Sequence, residues 1–423
     1  MKQLLERLHA KLGDFWWYSL MLFVASRVAD VLNVFVGLYL VPKYVGTKEL
    51  GAVLPLMSFA GCLALPIGVF ATTFMKEVNN LATRREFGKL KTLLRGVFVF
   101  AAVFLVLAIL ISHFVLPHFL ERIRIVRGSL GFLILAASFI GATAPIYTNA
   151  LQALKKFGAL SAVNVLGAPI RLGAMLITMP FRPLSGYFVG QAATPAFSIV
   201  AAVVALRREL AVRAERYWSG VTLRRLARFM VFILVYNAAL SVASLVEQTV
   251  MRERLTDLES AAYYLITRYS DIANFLSITL LATLFPFTAE LAEQGRSTRS
   301  RLMKAVLAVV GFNLPLAGFF LVCGNFAMRI LPDGANYTAF AWAIPANILI
   351  NTVVAFSSMH VSTEISAGRF RFLWWWVPAC AAYPIALSCC AESVTALSTM
   401  MWWLFGFAAI RAAFTALDLV RQR

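Results

Sequence analysis

Arg27, Asp30, Arg171, Glu247, Arg268 and Asp271 are ionisable residues that each lie inside a long apolar run. An ionised group at that depth in a membrane helix costs roughly 2.5 to 3.5 kcal/mol on the insertion scale, so each needs a partner or a task. Four of the six repeat a pattern, Arg27-Val28-Ala29-Asp30 and Arg268-Tyr269-Ser270-Asp271, and a spacing of three lets the two side chains meet on one helix face. Three readings are open for these pairs. They neutralise themselves so that insertion is tolerable, they bridge the two halves of the chain, or their arginines line a wet cavity and bind an anionic head group. In the last case each aspartate orients its arginine or takes a proton. A guanidinium suits phosphate, because it donates two parallel hydrogen bonds and stays charged when desolvated. Arg171, just after Gly167-Ala168-Pro169, reads more as an ion-pair partner than as a ligand contact. Glu247, near a span end, is either solvated or a coupling-ion site.

Neutral polar residues accompany these charges. Asn33, Asn237, Ser241, Thr267 and Asn274 offer hydrogen-bond groups of the kind a glycan uses, although small polar residues in membrane helices also serve packing. The five cysteines lie in apolar segments with no CxxC spacing and no histidine cluster beside them, so neither a metal, a cofactor nor a disulfide framework is expected.

The elements that position these residues follow from composition. Of 423 residues 61% are hydrophobic and 14% charged, and the mean hydropathy of +0.78 exceeds what a water-soluble globule tolerates. A bilayer core of about 30 Å takes roughly 20 apolar residues per helix, with every backbone amide satisfied inside the helix. Twelve spans are predicted, at about 15–41, 50–75, 93–116, 129–151, 158–179, 184–206, 226–250, 261–290, 302–326, 337–359, 370–390 and 395–417. The net charge of +19 does not indicate nucleic acid here, since most of the 39 Lys and Arg fall in alternate loops. The positive-inside rule then puts both termini in the cytoplasm and leaves Arg27, Arg171 and Arg268 as the arginines within spans. The start is too polar, and the first apolar run too long, for a cleavable signal. Trp374-Trp375-Trp376 and Trp402-Trp403 are expected to anchor helix ends, and Pro55, Pro66 and Pro286 to bend or end their helices.

An internal repeat divides the chain. Ser26, Asp30, Asn33 and Gly37 share one helix face at spacings of 4, 3 and 4, and Asn237, Ser241, Ser244 and Gln248 repeat that spacing 211 residues later. Glu77 and Glu290, Lys91 and Lys304, and Lys156 and Arg369 recur at 213. Six spans per half in the same orientation predict an N-terminal lobe over 1–210 and a C-terminal lobe over 211–423.

The turn Val41-Pro42-Lys43-Tyr44-Val45-Gly46-Thr47-Lys48-Glu49-Leu50-Gly51 is similar to the short turn after the first span of polysaccharide exporters in the multidrug/oligosaccharidyl-lipid/polysaccharide (MOP) superfamily. Leu151-Gln152-Ala153-Leu154-Lys155-Lys156-Phe157-Gly158, running into Asn164 to Leu172, resembles the same family, as does Ala367-Gly368-Arg369-Phe370-Arg371. Val45-Gly46-Thr47-Lys48 stands where Gly-Pro is common, a departure that bears on the subfamily more than the fold. The resemblance implies an all-α, MATE-like polytopic membrane protein whose two lobes enclose a V-shaped central cavity lined mainly by helices one, two, seven and eight. Cationic cavity residues of the family's lipid-linked oligosaccharide flippases would correspond to Arg27 and Arg268. The implied function is a flippase for an undecaprenyl-diphosphate-linked glycan at a bacterial cytoplasmic membrane, working by alternating access. Its partners would be membrane lipids and a downstream glycan polymerase or ligase, with no nucleic acid. Two rivals stand beside it. One is a drug or metabolite exporter of the same superfamily; the other is a membrane glycosyltransferase, polymerase or ligase, for which the outer loops are short.

Overall fold

The structure, a computed structural model, describes residue 27 and residues 29–125, 129–154, 156–217, 220–293 and 298–421. All regular structure among them is helical. A helical run over 29–44, α1, contains a π-helical turn at Val36–Leu40. A short turn at Thr47–Leu50 leads into α2 (Val53–Thr83), followed by α3 (Phe87–Arg122), α4 (Ser129–Ala153), α5 (Phe157–Thr178) and α6 (Pro183–Ala205). The second series is α7 (Gly220–Arg254), α8 (Asp257–Glu293), α9 (Arg299–Arg329), α10 (Ala343–Ser366), α11 (Leu373–Cys389) and α12 (Leu397–Arg421).

Among the described residues, nine helices are long and apolar enough to cross a bilayer. With α1, α8 carrying the Arg268 and Asp271 pair, and the 17-residue α11, they account for the expected twelve. The remainder of the first predicted span lies outside the described residues. Several helices outrun their apolar cores. α3 has 36 residues, or about 54 Å at 1.5 Å per residue, well beyond the hydrocarbon thickness. Its middle exposes Phe98, Val103, Leu107, Ile111 and Phe114, as expected of a face that meets lipid.

Of the prolines expected to bend or end their helices, none ends one. Pro55 is the third residue of α2, where a missing N–H costs no intrahelical bond, and α2 and α8 continue past Pro66 and Pro286. Membrane helices tolerate such residues when neighbouring groups satisfy the freed carbonyls.

The chain forms two compact units that interleave along the sequence. The first comprises the described part of Met1–Val36, with Ala60–Leu120 and Val126–Leu234. Its core joins Phe70, Phe74 and Val78 of α2 to Leu90, Leu93 and Val97 of α3 and to Ile146 and Leu151 of α4. Phe70 stacks on Phe100 at 4.0 Å between ring centroids. The basic segment after α6 is pinned to this unit. Lys91 Nζ donates to the Val212 carbonyl at 2.8 Å, the Glu215 amide donates to the Gly88 carbonyl, and Lys156 Nζ lies 2.8 Å from Glu209 Oε2. Burial pushes the Glu209 carboxyl up, but the Lys156 hydrogen bond, a backbone hydrogen bond and the Lys156 and Arg208 charges hold it below its ordinary value.

The second unit comprises Gly37–Phe59, Glu121–Ile125 and Val235–Arg423. Two pieces of the first sequence half are thus built into a unit made mostly from the second. Arg252, at the end of α7, secures both. Its side chain is fully buried, Nη1 donates to Asp257 Oδ1 at 2.6 Å, Nη2 to the Lys48 carbonyl at 3.0 Å, and Nε to the Ile123 carbonyl at 3.2 Å. Arg124 adds a hydrogen bond to the Glu253 carbonyl at 2.7 Å, and Thr47 and Tyr337 pair their hydroxyls at 3.3 Å. Gly51 permits the approach, since a Cβ there would stand 2.6 Å from Ser260 Cβ.

Candidate functional site

In the first unit, α1 places Arg27, Asp30 and Asn33 at three-residue steps, so they line one face. Arg27 Nη2 lies 3.2 Å from Asp30 Oδ2, with the two side chains 34% and 26% exposed. Across from them, Arg171 of α5 donates from Nη1 to Asn33 Oδ1 at 2.7 Å. One partner of Arg171 is therefore a polar residue expected to bind substrate.

The second unit holds the matching pair. Arg268 Nη1 lies 2.9 Å from Asp271 Oδ2, with exposures of 25% and 40%. Asn274 hydrogen-bonds Asp271 from the next turn. The Arg268 guanidinium sits 5.3 Å from the centre of the Tyr264 ring, a cation–π contact, and its stem passes Gly37 so closely that a Cβ there would lie 2.9 Å from Cδ. Thr267 spends its hydroxyl proton on its own helix, donating to the Tyr264 carbonyl at 2.7 Å. Asn237 and Ser241 are half-buried on α7, and one turn on Ser244 Oγ is 3.4 Å from Ser58 Oγ. Both Arg-x-x-Asp pairs therefore close as their spacing predicts, each on its own helix.

Glu247 is enclosed by protein groups. It accepts hydrogen bonds from Tyr383 Oη of α11 at 3.2 Å and from Gln248 Nε2 at 3.1 Å. It also feels the charge of Arg411 on α12. Arg411 is a fourth arginine within a span, which assignment of cations to loops overlooked. It is 5% exposed and lies 4.4 Å from the centre of the Trp376 ring. A sequence signal existed, because Arg411 interrupts the last apolar run in Ala408-Ala409-Ile410-Arg411-Ala412-Ala413. Arg252 escapes a sequence reading because two of its three acceptors, at Lys48 and Ile123, are backbone carbonyls. An apolar groove of about 800 Å³ lies between α11 and α12, lined by Trp374, Trp402 and Phe407 among others, and it touches this group only at Tyr383. Among the described residues no cluster of His, Cys, Asp and Glu could hold a metal ion.

By sequence the chain matches no family model and no curated protein. By structure it is similar to a multidrug resistance MATE family transporter of the MOP superfamily in an inward-facing conformation, with a TM-score of 0.70 at 11% identity over 94% of each chain. It is also similar to the lipid II flippase MurJ in an inward closed conformation, with a TM-score of 0.65 at 10% identity over 95% of this chain and 87% of that one. A MOP superfamily transporter from Pyrococcus furiosus, whose binding pocket is described as reversed in polarity, matches with a TM-score of 0.61 at 14% identity over 94% and 93%. With nine apolar spans and helices along its full described length, this chain has the fold of the MOP superfamily transporters.

Proposed function

We propose that the protein is a flippase that carries an undecaprenyl-diphosphate-linked oligosaccharide from the cytoplasmic to the outer leaflet of a bacterial inner membrane. The observation that carries the reading is the pair of half-buried arginines, Arg27 and Arg268, each held by an aspartate three residues on, with the amide side chains Asn33 and Asn274 three residues beyond each aspartate. In the course of one cycle these guanidinium groups take the diphosphate oxygens, and each carboxylate releases its arginine as the phosphate arrives. Asn33, Asn237, Ser241, Thr267 and Asn274 offer hydrogen bonds to the sugars, while the lipid tail stays in the bilayer. Outward movement of the anion gains up to about 2.3 kcal/mol per charge per 100 mV of negative-inside potential. A two-lobe rocking motion of repeats 1–210 and 211–423 supplies the alternating access.

A second reading, export of a drug or metabolite, is favoured by the multidrug resistance transporters among the structural neighbours. The two differ in charge preference. Proteoliposomes loaded with a fluorescent undecaprenyl-diphosphate oligosaccharide provide the test, with dithionite quenching of the outer leaflet as readout. Arg27→Ala and Arg268→Ala should each slow flipping at least tenfold while leaving the protein monodisperse. Normal flipping in both variants removes the arginines from the mechanism, and transport of a cationic dye that is insensitive to Arg27→Ala supports the exporter.

A further inference from the structure

Helices α11 and α12 of the second unit run side by side with a gap between them, the apolar groove of about 800 Å³. Small residues open it. Ala379, Ala382 and Ala386 line it from α11 and Gly406 from α12, and a Cβ built at Gly406 would meet nothing within 4 Å. Rings bridge the two helices, Tyr383 stacking on Phe407 at 4.1 Å and Trp375 on Phe414 at 5.8 Å between centroids. Trp374 and Trp402, at opposite ends of the groove, are 85% and 72% exposed, which for a membrane protein of this fold is exposure to lipid. On α12 the lining runs from Thr399 to Phe414. That is about 22 Å at 1.5 Å per residue, longer than one leaflet's half of the roughly 30 Å hydrocarbon core.

One end of the groove is charged. The Trp374 amide donates to the Arg371 carbonyl at 3.2 Å, so Arg371 stands one turn before the groove's first tryptophan. Arg421 follows Phe414 by seven residues, on the same face of α12. Seven residues rise about 10 Å, enough to carry a guanidinium from the hydrocarbon edge into a head-group layer about 5 to 7 Å deep. There Arg369, Arg371 and Arg421, all exposed, line a pocket of about 350 Å³. The two carboxylates of that pocket lie deeper, Glu364 at 3% exposure and Asp418 paired with His360 at 2.9 Å. Three guanidinium groups against two carboxylates leave an excess of one positive charge, with the cations outermost. A phosphodiester brings the matching negative charge and oxygens that a guanidinium takes in parallel. The ammonium of a zwitterionic head group would meet the same arginines with the wrong sign.

We propose that the groove between α11 and α12 is a binding site for an anionic phospholipid, with one acyl chain along the groove and the phosphodiester on Arg369, Arg371 and Arg421. Any lipid wets an apolar groove, and the arginines make this one selective. Each basic residue near a membrane surface strengthens attraction to anionic lipid about fivefold. The bound lipid fills the space beside Gly406 and braces α11 against α12. The site does not involve Arg27 or Arg268, so it holds whichever substrate the transporter carries.

Tryptophan quenching tests the site in full-length protein reconstituted into phosphatidylcholine bilayers doped with brominated lipid, since four of the chain's nine tryptophans line the groove. Brominated phosphatidylglycerol should quench at a lower mole fraction than brominated phosphatidylcholine. Arg369→Gln with Arg371→Gln should raise the phosphatidylglycerol half-point about fivefold per arginine, toward the phosphatidylcholine value. Gly406→Leu, whose side chain enters open space, should reduce quenching by both lipids while the protein stays monodisperse. Arg299→Gln with Lys304→Gln removes two cations beside a different pocket at the start of α9, and should leave the preference intact. Equal quenching by the two lipids in wild type, an equal loss of preference in the Arg299 and Lys304 variant, or undiminished quenching in Gly406→Leu overturns the site. Native mass spectra of the purified protein identify the occupant. A retained anionic phospholipid that is lost in the Arg369 and Arg371 variant is expected. A polyprenyl lipid, or a second copy of the chain that covers these tryptophans, overturns the assignment.

Discussion

Arg252 and Lys48, 204 residues apart in the chain, meet when the arginine donates a 3.0 Å hydrogen bond to the lysine's backbone carbonyl. The same guanidinium reaches the Ile123 carbonyl and the Asp257 carboxylate, so one buried side chain fastens two turns of the first half to α7 and α8. Arg252→Ala strands two carbonyls and leaves the Asp257 carboxylate only its 3.4 Å contact with Arg124. Removal of one member of a buried charged network typically costs about 3 to 5 kcal/mol. We expect a fall of several degrees in apparent melting temperature in detergent, with Arg252→Lys recovering only part because an ammonium's donors radiate from a single nitrogen and cannot cover acceptors served from Nε, Nη1 and Nη2. Melting of Arg252→Ala within a degree of wild type removes the residue as the fastener.

Asp257 gives this contact an acid limit. Burial pushes its carboxyl up, but the Arg252 hydrogen bond and the Arg252, Arg124 and Lys48 charges outweigh burial and hold it below the ordinary 3.8. A carboxyl lowered in the folded state contributes stability that is complete above its unfolded value and lost as pH falls through the folded one. Melting temperature should therefore be flat from pH 7 to 5 and drop below about pH 4. The side chain is 40% exposed, so high salt should weaken the effect. Asp257→Asn should melt lower at neutral pH and show a shallower acid limb, and an unchanged limb would reassign the acid sensitivity to other carboxyls.

Gly37 and Arg268 give a test that separates function from folding. A methyl group at position 37 would stand 2.9 Å from Arg268 Cδ, and a flexible stem can yield by a few tenths of an ångström. Gly37→Ala should cost less than about 1 kcal/mol, partly offset by the higher helix propensity of alanine. It should nonetheless displace the guanidinium and slow flipping several-fold, like a mild Arg268→Ala. If Gly37→Ala flips at the wild-type rate while Arg268→Ala does not, the position of the stem is immaterial to the head-group contact.

The sequence carried the class of fold and the closure of the two Arg-x-x-Asp pairs, because both depend on short-range features, apolar run length and helical spacing. It did not carry helix ends such as Phe87 and Arg122 of α3, since apolarity marks only the hydrocarbon zone while backbone hydrogen bonding continues past it. The partner of Arg171 was equally hidden, because Asn33 lies 138 residues away and no spacing rule joins them. The Arg252 network shows the same limit more strongly. Its acceptors at Lys48 and Ile123 are backbone carbonyls, which every residue type has, so no sequence pattern could single them out.

Glu247 and Arg411 complete the set of testable charges. Glu247 accepts hydrogen bonds from Tyr383 and Gln248, and Arg411 faces the same group from α12. If the two are mutual counter-charges, Glu247→Gln leaves Arg411 uncompensated and lowers stability, by about 2 kcal/mol on the scale of charged hydrogen bonds. A double change of Glu247→Gln with Arg411→Met should melt higher than Glu247→Gln alone, because replacing both members of a buried pair is often neutral where removing one is not. The opposite pattern, normal melting of Glu247→Gln with transport that no longer depends on an imposed ion gradient, would make Glu247 the coupling-ion site. Tyr383→Phe distinguishes the cases further, since loss of a donor to an ionised acceptor must lower melting, whereas loss of a contact to a protonated acid changes it little.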